Sequence, residues 1–117
     1  MKWIIAIIQP QRLESVKLAL TEADIFRLTV SDIQGYGRQK GHTEFFRGET
    51  DQTNLIRKVR LDIAVDDAQV QITLDAITRA ARTGPGGRGQ VGDGKIFVLP
   101  IENAIRISDG VAGAEAL

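Results

Sequence analysis

The sequence predicts an α+β domain of two similar halves, each a strand, an amphipathic helix and a second strand. Three observations carry this reading. Strand-like apolar runs occur at Trp3–Ile8, Leu28–Ile33, Val59–Val65 and Ile96–Leu99. A stretch of helical spacing separates the first two runs, and another separates the last two. Between the halves, residues about 37–57 hold neither period and are dense in polar side chains. Long connections of that kind in a small domain are usually functional or disordered.

Each element follows from local chemistry. Trp3–Ile8 is nearly all apolar and Ile-rich, as a buried strand should be. Pro10 suits the first turn of a helix, where its missing N–H costs nothing. Leu13, Val16 and Leu20 then fall on one helical face. Leu28, Val30 and Ile33 form a second strand that Gly35 and Gly37 are expected to end. Val59, Leu61, Ile63 and Val65 alternate with Arg60, Asp62 and Ala64, the pattern of a half-buried strand. Asp66 or Asp67 is a suitable N-cap, and Val70, Leu74, Ile77 and Ala81 mark a second helix. A Gly-rich loop over about 83–95 leads into the fourth strand, and a small, polar tail over about 108–117 is predicted to be mobile. The order is that of a ferredoxin-like double βαβ sandwich, with both helices on one face of an antiparallel sheet. The other face keeps Trp3 and Ile5, too apolar to leave in water, so a homo-oligomer is expected.

The 117 residues make one domain, 1–117, with room for a real core. Fifteen basic and fifteen acidic residues cancel, which argues against electrostatic capture of nucleic acid. Aromatic residues are only 5% of the chain, so a ferredoxin-like RNA-binding surface is a poor fit. No apolar run is long enough for a transmembrane helix, and the N-terminus lacks the pattern of a signal peptide. With no cysteine there is neither a disulfide nor a thiolate metal site, in keeping with a cytoplasmic location.

Six of the 12 glycines lie between Gly84 and Gly94. Glycine lets backbone N–H groups converge on an anion, and Lys95 adds a mobile positive charge, so a phosphate cradle is one reading. A plain connector is the other, and composition alone favours it. Gly84-x-Gly86-x-x-Gly89 has dinucleotide-fingerprint spacing but follows a helix. Gly89-x4-Gly94-Lys95 resembles a P-loop but is followed by Ile96 in place of Ser or Thr, and by a strand. Neither has its required context. Arg38, Gln39, Lys40, Arg57 and Lys58 could clamp a dicarboxylate or a triphosphate, although scattered loop charges are ordinarily just solvated. His42 is the sole histidine, without a second ligand or a base partner. No catalytic constellation is present, which counts against a nucleotide hydrolase or phosphotransferase.

The block Gly35-Tyr-Gly-Arg-Gln-Lys-Gly-His-Thr-Glu-Phe-Phe-Arg-Gly48 resembles the PII nitrogen-regulatory signalling proteins. So do Leu55–Val65, Ala81-Arg-Thr-Gly84, Gly92-Asp-Gly-Lys-Ile-Phe-Val98 and Ile105-Arg-Ile107. The resemblance runs in order along nearly the whole chain. It implies a homotrimer of ferredoxin-like subunits that binds ATP or ADP between subunits, and 2-oxoglutarate through a Mg²⁺ ion beside ATP. It also implies a long T-loop, here about 37–57, that grips partner proteins.

Carried over by position, the nucleotide would meet Gly35, Gly37, Arg38 and Gln39, with Thr29, Asp62 and Ala64 on the adenine side. Gly92, Asp93, Gly94 and Lys95 would serve the phosphates, with Arg106 reaching across from a neighbouring subunit. Gln39 would complete the Mg²⁺ shell. Gln39, Lys40, Gly41 and Lys58 would meet 2-oxoglutarate, Lys58 as counter-charge to a carboxylate. Arg47, Glu49 and Asp51 would contact partners, Arg47 in the position of an arginine that plugs an ammonium channel. The protein is thus expected to regulate enzymes or transporters, including an ammonium channel at the membrane or a nitrogen-assimilation enzyme, and not to be an enzyme itself.

Three departures from the family pattern bear on this. Asp51 and Glu49 stand where many relatives carry a modifiable Tyr or Ser, so no tyrosine nucleotidylation of the loop is expected. The phosphate loop is longer than usual by about five residues, around Pro85–Gly89. Ser108 replaces the second arginine of the C-terminal phosphate clamp. Loss of that arginine removes a charge-assisted contact, which Arg88 in the longer loop could restore. The alternative reading is a PII-like sensor retuned to another effector, related to carbon or to a metal.

Overall fold

A computed structural model describes residues 1–38 and 53–117. Its strands are β1 (Lys2–Ile8), β2 (Leu28–Arg38), β3 (Thr53–Val65) and β4 (Gly94–Pro100), and its helices are α1 (Leu13–Glu22) and α2 (Val70–Ala81). The sheet order is β2-β3-β1-β4, and every neighbouring pair is antiparallel. With one helix after β1 and one after β3, this is the ferredoxin-like double βαβ fold.

The alternation in β1 and β3 sets the register. Ile4, Ala6 and Ile8 pair with Ile63, Leu61 and Val59, and all six are buried. A slip of one residue would turn both rows to the opposite face, so the pairing is strongly specified. Val16 and Leu20 from α1, and Ala76, Ile77 and Ala81 from α2, close the core from one side. Leu13, Val70 and Leu74 pack at its margin. Thr73, which apolar spacing passes over, is fully buried and donates its hydroxyl to the Gln69 carbonyl at 2.7 Å. That bond to the N-cap carbonyl satisfies the one buried polar side chain among the described residues. Pro10 opens a 3₁₀ turn before α1, and Asp66 caps the turn before α2 by accepting from the Asp67 N–H at 2.8 Å.

The expected bounds of β2 and β3 need correction. Gly35 and Gly37 do not end β2, and β3 does not begin at Val59. The two strands pair as far out as Gly37 with Asn54 and Arg38 with Thr53. Tyr36 and Leu55 face each other there and are both exposed. This ribbon is held by backbone hydrogen bonds and has no fully buried row: Tyr36 and Leu55 are exposed, and Ile33, Gly35 and Ile56 are half-buried. Near the C-terminus, Ile105 and Ala112 form a backbone bridge and a 3₁₀ turn spans Ala114–Ala116. Arg27 Nη1 donates to the Leu117 carbonyl at 2.7 Å.

The sheet face away from the helices carries Trp3, Ile5, Phe97 and Leu99, paired as Trp3 with Leu99 and Ile5 with Phe97. No element among the described residues covers it; Phe97 is 48% exposed and Trp3 38%.

Candidate functional site

The Gly-rich loop between α2 and β4 is tied at both ends. Asp93 is its inner anchor. Its carboxylate accepts from the Thr83 N–H at 3.0 Å, the Thr83 hydroxyl at 2.5 Å and the Gln90 N–H at 2.8 Å. These donors, the Thr83 hydroxyl foremost, hold its pKa below the ordinary carboxylate value, and the Lys58 charge adds to the effect. Gly87 N–H and Gly89 N–H donate back to Gly84 and Thr83 carbonyls, folding 84–89 into a closed hoop.

The outer anchor is the Gly92 carbonyl. It accepts from Lys58 Nζ at 2.8 Å and from Gln9 Nε2 at 3.1 Å. Two glycines here are obligatory in geometry. Gly94 has φ +119°, and a Cβ on it would collide with the Ile7 carbonyl oxygen; Gly92 has φ +99°. Lys95 follows, exposed, at the start of β4. A hollow bordered by Ile7, Ile77, Arg82, Asp93, Gly94 and Lys95 opens beside the loop. Lys58 also runs past Gly35, where a side chain's Cβ would lie 3.9 Å from Lys58 Cγ. Lys58, Gly35, Gly92 and Lys95 are therefore gathered at one end of the sheet.

A second group lies along the strands. Thr29 and Asp62 are paired on the open face, with Ala64 two residues on. Asp62 is four residues from Lys58 on β3, about 13 Å at strand rise. Its carboxylate accepts from Trp3 Nε1 at 2.9 Å and from Arg60 Nε and Nη2, both at 3.0 Å. The Arg60 fork lowers the Asp62 pKa, and the Trp3 N–H reinforces it; the Arg60 pKa rises in return. The guanidinium lies 5.9 Å from the centre of the Trp3 ring. This network is an ordered polar patch in an apolar face. A hollow bordered by Trp3, Arg27, Thr29, Asp62 and Ala64 adjoins it.

Arg106 belongs to neither group in a single chain. Its Nη1 pairs with Asp109 at 2.8 Å, its Nη2 donates to the Glu115 carbonyl, and Ser108 beside it is exposed. Gly37 and Arg38 are placed by backbone pairing at the end of β2. Gln39, Lys40, Gly41, Arg47, Glu49 and Asp51 lie outside the described residues.

The donor set fits an anionic phosphate ligand. Gly92 and Gly94 carry the loop's positive-φ backbone, and two ammonium groups, Lys58 and Lys95, stand beside it. Among the described residues no cluster of His, Cys, Asp or Glu could hold a metal ion. Spacing alone missed Gln9, Thr83, Gln90 and Trp3, because each acts through a contact that only the fold creates.

The fold, the glycine cradle and the lysine at its rim define a class, the nitrogen-regulatory P-II proteins, whose family model matches residues 1–111. The chain belongs to that family. It is 46% identical to the nitrogen regulatory protein GlnK1 of Methanosarcina mazei, over all of this chain and 97% of that one. It is also 46% identical to the nitrogen regulatory protein P-II of Nostoc punctiforme and 45% to that of Rhodospirillum rubrum, each over the full length of both chains. No helix among the described residues is long and apolar enough to cross a membrane.

Proposed function

We propose that this protein is a homotrimeric sensor of ATP or ADP and of 2-oxoglutarate that regulates partner proteins through the β2–β3 connection. The observation that carries the reading is the position of Lys58. It stands on β3, the strand that leads out of that connection, and it holds the Gly92 carbonyl of the phosphate cradle. An effector carboxylate that drew Lys58 away would alter both ends of this contact at once. Ligands that favour one arrangement shift its population, and partners that grip it feel the shift.

The trimer has its own support. The nucleotide groups expected from the family fall into separate sets in one chain, the cradle at the sheet end and Thr29, Asp62 and Ala64 on the open face. Burial of Trp3, Ile5, Phe97 and Leu99 against neighbouring copies would bring such sets together across an interface. The protein acts in this reading as a regulator of enzymes or transporters, in the cytoplasm or docked on a membrane channel.

A second reading keeps the nucleotide and changes the effector. The closed hoop at 84–89 and the exposed Ser108, in place of a clamp arginine, favour it. ATP titration of wild-type protein and Lys95→Ala, with native mass measured in parallel, tests the common ground. Saturable binding to a trimer, weakened by the substitution, is expected. A monomer without nucleotide affinity would end both readings.

A further inference from the structure

We infer that the Asp93 side chain is a positioning group of the phosphate cradle, which shapes the loop by folding its carboxylate inward, so that the carboxylate does not touch the nucleotide. The inference rests on the nucleotide-sensor reading and reassigns a residue that the sequence groups with the ligand contacts. Three donors occupy the carboxylate at 3.0 Å or less, two of them backbone N–H groups on either side of the hoop. A carboxylate free to meet a triphosphate would face like charge at close range. Turned inward, Asp93 instead satisfies two loop N–H groups that would otherwise go unpaired.

Backbone bonds close the hoop itself, and the Asp93 side chain ties its two ends to the cradle. Thr83 and Gln90 are seven residues apart, and Asp93 Oδ2 accepts from both backbones. Thr83 supplies the second oxygen's partner. The next residues on either side are the glycines whose positive φ makes the cradle. Gly92 has its own clamp in Lys58 and Gln9, so Asp93 and that carbonyl pin consecutive residues from opposite sides.

Asparagine separates positioning from contact. Its Oδ1 can accept from both N–H groups, and its Nδ2 can donate to the Thr83 hydroxyl, so the geometry survives without the charge. Nucleotide titration and NMR-detected amide exchange on the ligand-free protein should be run on wild type, Asp93→Asn and Asp93→Ala. Asp93→Asn should bind ATP within about threefold of wild type, and Asp93→Ala should lose about tenfold or more. The Thr83 and Gln90 amides should be protected in wild type and Asp93→Asn and exchange fast in Asp93→Ala. Equal loss in both variants, or unchanged protection in Asp93→Ala, would overturn the inference. If wild type binds neither ATP nor ADP, the sensor reading fails, and the exchange data alone decide whether Asp93 shapes the loop.

Discussion

Lys58 is the residue on which most of the site converges. Its Nζ holds Gly92 and its stem passes Gly35, so one side chain joins two strands to the Gly-rich loop. Lys58→Met keeps the stem and removes the charge. It should abolish the 2-oxoglutarate response measured by titration in the presence of Mg-ATP, and weaken a carboxylate contact by about 1.5–3 kcal/mol. Gly94 is the second decisive residue, since any Cβ there meets the Ile7 carbonyl. Gly94→Ala should lower the thermal midpoint and ATP affinity together, by differential scanning fluorimetry and titration. The carboxylates Asp62, Asp67 and Asp93 all have lowered pKa values, through Arg60, the N-terminal ammonium and the Thr83 hydroxyl respectively. A lowered folded pKa gives stability that is full above the ordinary carboxylate value near 4 and is lost as pH falls through the folded value. Thermal midpoints should therefore stay level from pH 7 to about 5 and fall below about 4.

At the scale of elements, what was legible in the sequence is what the core dictates. Ile4, Ala6 and Ile8 against Val59, Leu61 and Ile63 repeat a period that burial imposes, and Val16, Leu20 and Ile77 repeat the helical one. Leu20 is fully buried between the helices and the sheet, and Leu20→Ala should cost about 2–5 kcal/mol in urea unfolding. The outer part of β2 was hidden because Ile33 and Gly35 are only half-buried and the glycines there break the apolar alternation. The loop anchors were hidden for another reason. Thr83 and Asp93 are ten residues apart, and Gln9 and Gly92 are farther still, so only the closed fold makes them partners. The glycines and Lys95 could be read as a cradle, but the same composition would suit a simple connector. The geometry at Gly94 reflects close packing on β1 and fits either.

The whole molecule presents one covered face and one open face. Two helices shield the first; the second shows Trp3, Ile5, Phe97 and Leu99 around the Arg60–Asp62 pair. Three copies of this chain would close such faces on one another, with the polar pair placed to set their register. Phe97→Glu should shift the native mass toward the monomer and, on the proposed trimeric reading, reduce ATP affinity with it. The most direct test of the sensor account is calorimetric titration of the purified protein with 2-oxoglutarate, with and without Mg-ATP. The account predicts binding only when Mg-ATP is present. Nucleotide binding with no response to 2-oxoglutarate would contradict it and leave the retuned sensor, with Ser108 and the hoop at 84–89 as the first positions to exchange.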